Sequence, residues 1–382
     1  MLGSILLKNG KVFVDGSFVP SDLLIDNGKI KAIAADLSKF SSNCRVIDVK
    51  GYFVSPGFID NHCHINYSGS SIGAVPNLFS MIMGCTTLCD AGSCGVGNYQ
   101  GFHDNTVKTS VASIYAYLNI ASSGQIMLDV PENYTKERIH ADMIRDHVER
   151  FKGEIIGLKL RFDKGCVLDE GLESLVNCAE LAHNLDLPLM VHIVNHPESI
   201  DEIMPIFERG DIVAHCFHNC GETILDERGK VRDSVLKARE RGVLFEASDH
   251  PFNYSFDTID KALKEGFLAD ILSTDLVNFT AFGCESFGLP YVMSKYLSLG
   301  VPLEKIIPQV SSNLAQVLRK DDFGRLAVGT VADVCVFKIE DASIKYEASD
   351  GTSFVGNKLI VPQCTIKNGA LVYASPSLYS QN

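Results

Sequence analysis

Pro56-Gly57-Phe58-Ile59-Asp60-Asn61-His62-Cys63-His64 opens the central part of the chain with an apolar run that ends in two histidines one residue apart. Phe58 to His64 reads as a β-strand, and side chains alternate along a strand, so Asp60, His62 and His64 are expected on one face. Seven further apolar runs follow: Thr86 to Asp90, Val111 to Ile120, Ile155 to Leu160, Leu189 to Ile193, Ile212 to His215, Val243 to Glu246 and Ile271 to Asp275. Between them the pattern turns helical, as in Ile139, Met143, Ile144, Val148 and Phe151, or in Leu172, Leu175, Val176, Ala179 and Ala182. Eight strands alternating with helices over roughly 260 residues have the rhythm of an α/β fold of the (β/α)₈ TIM-type barrel class. An open doubly wound sheet is the alternative, but neither a GxGxxG nor a Walker A sequence follows any of the strands.

The two ends of the chain have another texture. Val12 to Val14, Leu23 to Ile25, Ile30 to Ile33 and Val46 to Val49 are short strand runs punctuated by Asp15-Gly16 and Asn27-Gly28, which are hairpin signals. The same texture returns in Ala332 to Phe337, Val361 to Ile366 and Leu371 to Tyr373, with Asn368-Gly369 between the last two. Residues 1–55 and 318–382 are therefore expected to build one small β-sandwich together, beside a barrel of residues 56–317.

Composition bounds the function. The 382 residues are 46% apolar and 21% charged, as in soluble globular proteins. With 34 Lys+Arg against 47 Asp+Glu the net charge is −13, which argues against nucleic acid and anionic membrane as partners. The most apolar stretch, Ile72 to Leu88, is broken by Pro76, Asn77, Ser80 and Gly84, short of the ~18 residues of a membrane span. Met1-Leu2-Gly3-Ser4 lacks the basic start of a secretory leader, so a cytoplasmic location is expected. The 12 cysteines include no CxxC pair and are expected as reduced thiols, many of them packed in apolar strands.

On the strands sit the residues that carry chemistry. His62 and His64 close the first, Lys159 the fourth, His192 the fifth, His215 the sixth and Asp275 the eighth. All strands of such a barrel open their carboxyl ends on one face, where enzymes of this architecture keep their active sites. Imidazole nitrogens and a carboxylate suit Zn²⁺ with a position left for water. Asp60 reads as a supporting carboxylate, since His62 and His64 already fill that corner. Lys159 is the odd member, because an ammonium repels cations. Its amine can take up CO₂ to give a carbamate whose two oxygens bridge two metals about 3.5–4 Å apart.

Pro56 to His64 resembles the PGxIDxHxH signature of the amidohydrolase superfamily, and Gly324-Arg325-Leu326-Ala327-Val328-Gly329-Thr330-Val331-Ala332-Asp333 resembles its C-terminal segment. Gly157 to Arg161, Val213 to Phe217 and Ser273-Thr274-Asp275 resemble the branch of dihydroorotase-like enzymes and bacterial amidohydrolase-deacetylases. The resemblance implies two Zn²⁺. His62, His64 and Asp275 would bind one, His192 and His215 the other, and carboxylated Lys159 would bridge them. It implies hydroxide between the metals attacking an amide or ester carbonyl, with Asp275 as catalytic proton shuttle. Deacetylation of a small N-acetyl amino acid or O-acetyl hydroxy acid is the favoured expectation. Cyclic-amide hydrolysis of the dihydroorotase or hydantoinase kind, nucleobase deamination, and a scaffold that has lost catalysis are the alternatives.

The expected partner is a small molecule, with homo-oligomerisation left open. Arg161, whose planar guanidinium can take a carboxylate bidentately, is a candidate substrate contact. His218, Asn219 and His250 are further candidates. His218-Asn219 and Asp249-His250-Pro251 depart from the glycine-containing pattern of the deacetylase-like relatives on loops expected over the barrel mouth.

Overall fold

The computed structural model describes residues 3–283, 288–320 and 323–379. Met1 and Leu2, read above for a leader, lie outside them. Among the described residues sixteen strands form two sheets. β1 (Ile5–Val14), β2 (Ser17–Asp26), β3 (Lys29–Ala34), β4 (Arg45–Asp48) and β5 (Phe53–Pro56) precede the barrel. The barrel strands are β6 (Phe58–Cys63), β7 (Cys85–Ala91), β8 (Ser113–Asn119), β9 (Ile155–Arg161), β10 (Leu189–His192), β11 (Ile212–Ala214), β12 (Leu244–Ser248) and β13 (Ile271–Ser273). β14 (Val334–Glu347), β15 (Ser353–Lys367) and β16 (Ala370–Ala374) follow the barrel.

The barrel follows from the pattern. β6 to β13 pair in chain order, every neighbour parallel, and helices such as Ala141–Arg150 and Gly171–Asn184 fall where the 3.6-residue period places them. Ile59, Cys89, Tyr117, Ile156, Met190, Ile212 and Ile271 fill the interior with Leu314 and Leu318. The closing seam joins β6 to the segment after β13, where Asp275 N donates to His62 O at 2.7 Å and His64 N to Leu276 O at 2.8 Å.

Strict alternation along the first strand does not hold. β6 advances three residues from Asp60 to Cys63 while β7 advances two, a β-bulge. The bulge brings Asn61, whose amide reaches Glu246 at 3.0 Å, inside together with His62 and His64. Asp60 is turned into the seam instead, accepting from Thr274 N at 3.1 Å and Thr274 Oγ1 at 2.6 Å. Burial pushes its carboxyl up to about 7 against those bonds.

The terminal strands build the second domain as expected from both ends of the chain. They form one mixed sheet in the order β16-β15-β14-β5-β1-β2-β3, with β4 also on β1. Lys29 bridges back to Val331, just before β14, so the sheet curls round its own apolar cluster of Leu7, Val12, Ile25, Val54, Val334 and Ile366. The two layers expected of a sandwich are thus parts of a single curled sheet. The chain passes from this sheet to the barrel at Gly57, where a Cβ would lie 2.3 Å from the Thr86 side chain. Gly57 N donates to Asp333 O, and the Asp333 carboxylate holds buried Lys367 at 2.6 Å and Asn368 N at 2.7 Å. Among the described residues the cysteines are free, and no helix is long and apolar enough to cross a membrane.

Removing one partner of a buried ion pair leaves an uncompensated charge. Asp333→Ala is expected to lower stability by about 3 kcal/mol through stranded Lys367. Thermal and denaturant unfolding measure this, and an unchanged midpoint would remove the pair from the list of domain anchors.

Candidate metal centre

The chemistry-bearing residues arrive at one end of the barrel by two routes. Lys159 and His192 still lie on strands, whereas His64, His215 and Asp275 stand just past strand ends. His215 (φ 62°) and Asp275 (φ 50°) adopt the left-handed backbone region, which is strained for residues other than glycine and recurs at functional sites. The turn ends each strand earlier than the apolar pattern suggests and redirects the side chain inward. Gly92 (φ +91°) is required for a related reason, since a Cβ there would press to 2.6 Å on the stem of Lys159.

The six expected ligands, His62, His64, Lys159, His192, His215 and Asp275, line a single cavity of about 200 Å³. Asp275 is the hub. Its Oδ1 lies 3.3 Å from His62 Nε2 and 3.2 Å from His64 Nε2, and its Oδ2 lies 3.8 Å from His215 Nε2. Lys159 Nζ is 3.3 Å from His62 Nε2, and the His192 and His215 rings meet edge to face at 4.6 Å.

The opposite ring nitrogens are anchored. His62 Nδ1 donates to Glu246 Oε2 at 2.9 Å, His215 Nδ1 donates to the Ser248 carbonyl at 3.1 Å, and His64 Nδ1 pairs with Ser93 Oγ at 2.9 Å. A neutral imidazole that donates from Nδ1 presents a lone pair at Nε2. For His62 and His215 that lone pair faces the carboxylate oxygens of Asp275, an arrangement that repels unless a cation stands between them. Ligand atoms about 2.1 Å from a shared tetrahedral Zn²⁺ lie roughly 3.4 Å apart, close to the spacings found here. The ligand atoms of His62, His215 and Asp275 all lie within 4.8 Å of one another. The donor set therefore fits a divalent metal.

Electrostatics agree. Burial first, then Lys159, lowers His62, and burial brings His215 down to about 3, so both rings are neutral near pH 7. Burial opposes charge on Asp275, yet His62, His64 and His215 around it outweigh this and hold its carboxyl well below the usual range. Glu246 is likewise opposed by burial and held down to about 2 by His62, Asn61 and Lys159. Burial brings Lys159 down to about 8 against the pull of Glu246 and Asp275. More of it is thus free amine near neutrality than for an exposed lysine, and the free amine is the form that takes up CO₂.

Of the candidate substrate contacts, Arg161 and His250 line the cavity. Arg161 Nη1 lies 3.3 Å from Glu132 Oε2. His218 and Asn219 do not line it. After the left-handed turn at His215, His218 N folds back to His215 O at 3.1 Å, and the His218 ring is buried against His196. Asn219 is turned outward and donates to Asp350 Oδ2 at 2.8 Å. Sequence reasoning missed Glu246, whose signal was an acid closing the apolar run Val243 to Glu246. It missed Asn253, which donates to Asp275 Oδ2 at 3.3 Å from an aperiodic loop, and the aromatic wall of Phe252 and Phe279 that flanks the His250 ring.

Residues 53–372 match the profile of the amidohydrolase family. The chain is 32% identical over 361 residues to a deacetylase of Agrobacterium fabrum, covering 93% of this chain and 87% of that one. Among solved structures it resembles a dihydroorotase (TM-score 0.87, 31% identity, 98% of each chain) and an adenine deaminase (TM-score 0.89, 28% identity, 97% of this chain and 99% of that one).

Groups that orient metal-binding histidines typically affect affinity by about 10–100-fold. Glu246→Gln, which keeps size but removes the charge behind His62, is expected to weaken zinc binding within that range and leave the circular dichroism unchanged. Competition with a chromophoric chelator measures it, and parental affinity would refute the role of Glu246.

Proposed function

The chain belongs to the amidohydrolase family and is a hydrolase, and on that premise we propose that it uses two Zn²⁺ to cleave an amide or ester, removing the acetyl group from a small N-acetyl amino acid or O-acetyl hydroxy acid. The observation that carries this reading is the convergence of His62, His64 and His215 on Asp275, with Lys159 beside His62, inside one cavity. His62, His64 and Asp275 would hold one ion, His192 and His215 the other, and Lys159 as its carbamate both. Bound there, the ions would lower the pKa of water towards neutrality and polarise the scissile carbonyl.

The chain's own groups do the rest. Asp275, kept ionised, accepts the proton of the attacking water and returns it to the leaving nitrogen or oxygen. Asn253 fixes the orientation of that carboxylate. Arg161 is only partly engaged by Glu132 and keeps guanidinium donors for a substrate carboxylate. Phe252, Phe279, Val277 and Ile72 supply an apolar wall for the remaining carbon atoms. The cavity of about 200 Å³ is below the roughly 300–1,000 Å³ of drug-sized sites, which favours a small substrate. Curated relatives matched over nearly the whole chain are named deacetylases, which favours acyl removal. Opening of a cyclic amide is the second reading, favoured by the full-length likeness to a dihydroorotase.

Metal analysis is expected to find two zincs per chain, and a library of N-acetyl and O-acetyl acids with dihydroorotate and hydantoins separates the two readings. A two-zinc protein that turns over only the cyclic members would replace the first reading with the second. Asp275→Asn is expected to keep the fold and lose about 10²–10⁴-fold in kcat. Near-parental turnover would exclude its role as shuttle. Lys159→Ala is expected to be inactive and partly rescued by short-chain carboxylates, and full activity without rescue would discredit the bridge.

A further inference from the structure

β14 and β15 are 14 and 15 residues long, far longer than the strands beside them. β5 covers β14 only over Val334–Phe337, and β16 covers β15 only over Cys364–Lys367. From the pair Lys338 and Val361 outward to Glu347 and Ser353 the two strands leave the sheet as a ribbon. A bare two-stranded ribbon is marginal in water, so this one needs support. It finds some on the barrel helix Leu289–Ser298, where Ser294 Oγ accepts from Ile360 N at 2.8 Å and Ser298 Oγ from Asn357 N and Lys358 N at 3.2 Å.

The tip of the ribbon ends on the segment that lines the cavity. Ser349 N donates to Pro251 O at 3.0 Å, Tyr254 Oη to Glu347 O at 2.9 Å, and Phe256 N to Thr352 Oγ1 at 3.3 Å. Asp350 stiffens the turn by accepting from Thr352 N and Thr352 Oγ1 with one oxygen, and it takes the Asn219 amide with the other. The inner end of the same segment is fixed by the buried Asp249–Lys295 pair at 2.6 Å. Between these two anchors lie His250, Phe252 and Asn253, all in the cavity wall, with Phe252 64% exposed and Asn253 bonded to Asp275. Ordering such an irregular stretch costs backbone entropy, offset within it by Asn253 N bonding His250 O at 2.8 Å and Phe252 N bonding His250 Nδ1 at 3.4 Å.

We propose that the tip of the β14–β15 ribbon is a positioning element for the reaction: the terminal β-domain reaches over the barrel and holds residues 250–254 so that Asn253 aligns Asp275 and Phe252 closes the cavity. This rests on the hydrolase site described above. The test is the double substitution Tyr254→Phe with Asp350→Ala, which removes tip contacts and touches no cavity residue. Lys358→Ala is the control, since it breaks only the exposed ribbon pair with Asp341.

In the zinc-loaded double variant, amide exchange of residues 250–254 is expected to quicken about tenfold. With an acetylated-acid substrate kcat should fall about tenfold or more while KM moves little, as for misplacement of reacting groups. Zinc content should stay at the parental value, and the control should change none of these. Unchanged exchange, or faster exchange with parental kcat, would overturn the proposal, as would equal effects from Lys358→Ala. If the parental protein turns over no acetylated acid, the deacetylation reading has failed, and the exchange data still decide whether the ribbon holds the segment.

Discussion

The balance of charge around Asp275 is the constraint on which the barrel mouth depends. Asp275 and Glu246 are buried carboxylates held ionised, and a buried anion is costly unless paired. The histidines that surround them hold both carboxylates down by charge and hydrogen bonding, but burial disfavours the charged form of His62 and His215. Lys159, with its ammonium weakened by burial, balances one carboxylate at most, and as a carbamate it would add a negative charge of its own. The protein groups alone leave a deficit of positive charge in a cavity lined by nitrogen lone pairs. Divalent cations are what such a cavity demands, and Arg161, at the edge of that cavity, is paired with Glu132.

That arrangement needs the backbone held against its preferences. His215 and Asp275 sit in a conformation that costs a non-glycine residue about 1–3 kcal/mol, and the bulge in β6 interrupts its ladder. The barrel seam supplies what holds them. Asp275 N bonds to His62 O, Asp60 grips Thr274 from the other side of the seam, and His64 N bonds to Leu276 O. Closing the barrel and aiming the ligands are therefore one event, which explains why the signature Pro56 to His64 combines a sheet-to-barrel passage, a seam carboxylate and two imidazoles within nine residues.

The eight barrel strands and the six inward groups were legible because apolar runs and strand ends are local properties of a sequence. What was not legible depends on partners elsewhere in the chain. The bulge exists only relative to the register of β7, so alternation alone put Asp60 on the wrong face. His218 and Asn219 follow a left-handed turn whose direction no periodicity encodes, and they lie away from the cavity. Asp249 stood out as a departure from a glycine pattern, but its role needs Lys295, which a different helix brings to 2.6 Å. Glu246 was in plain view as the end of a strand run, and only the geometry shows that its carboxylate backs His62.

This division has a functional consequence. In the reading proposed above, strand ends of the barrel position the groups that would make water nucleophilic, while the carbonyl and leaving group would meet Arg161 at the end of β9, Phe252 and Asn253 after β12, and Phe279 after β13. Loops can change without disturbing the seam or the charge balance, because their anchors, such as the Asp249–Lys295 pair and the tip of the ribbon, lie outside the ring of histidines. One barrel can thus serve proteins with names as different as deacetylase, dihydroorotase and adenine deaminase. For the same reason the substrate depends on the loop around His250, where the sequence departs from the deacetylase-like pattern, as much as on the histidines that would hold the metals.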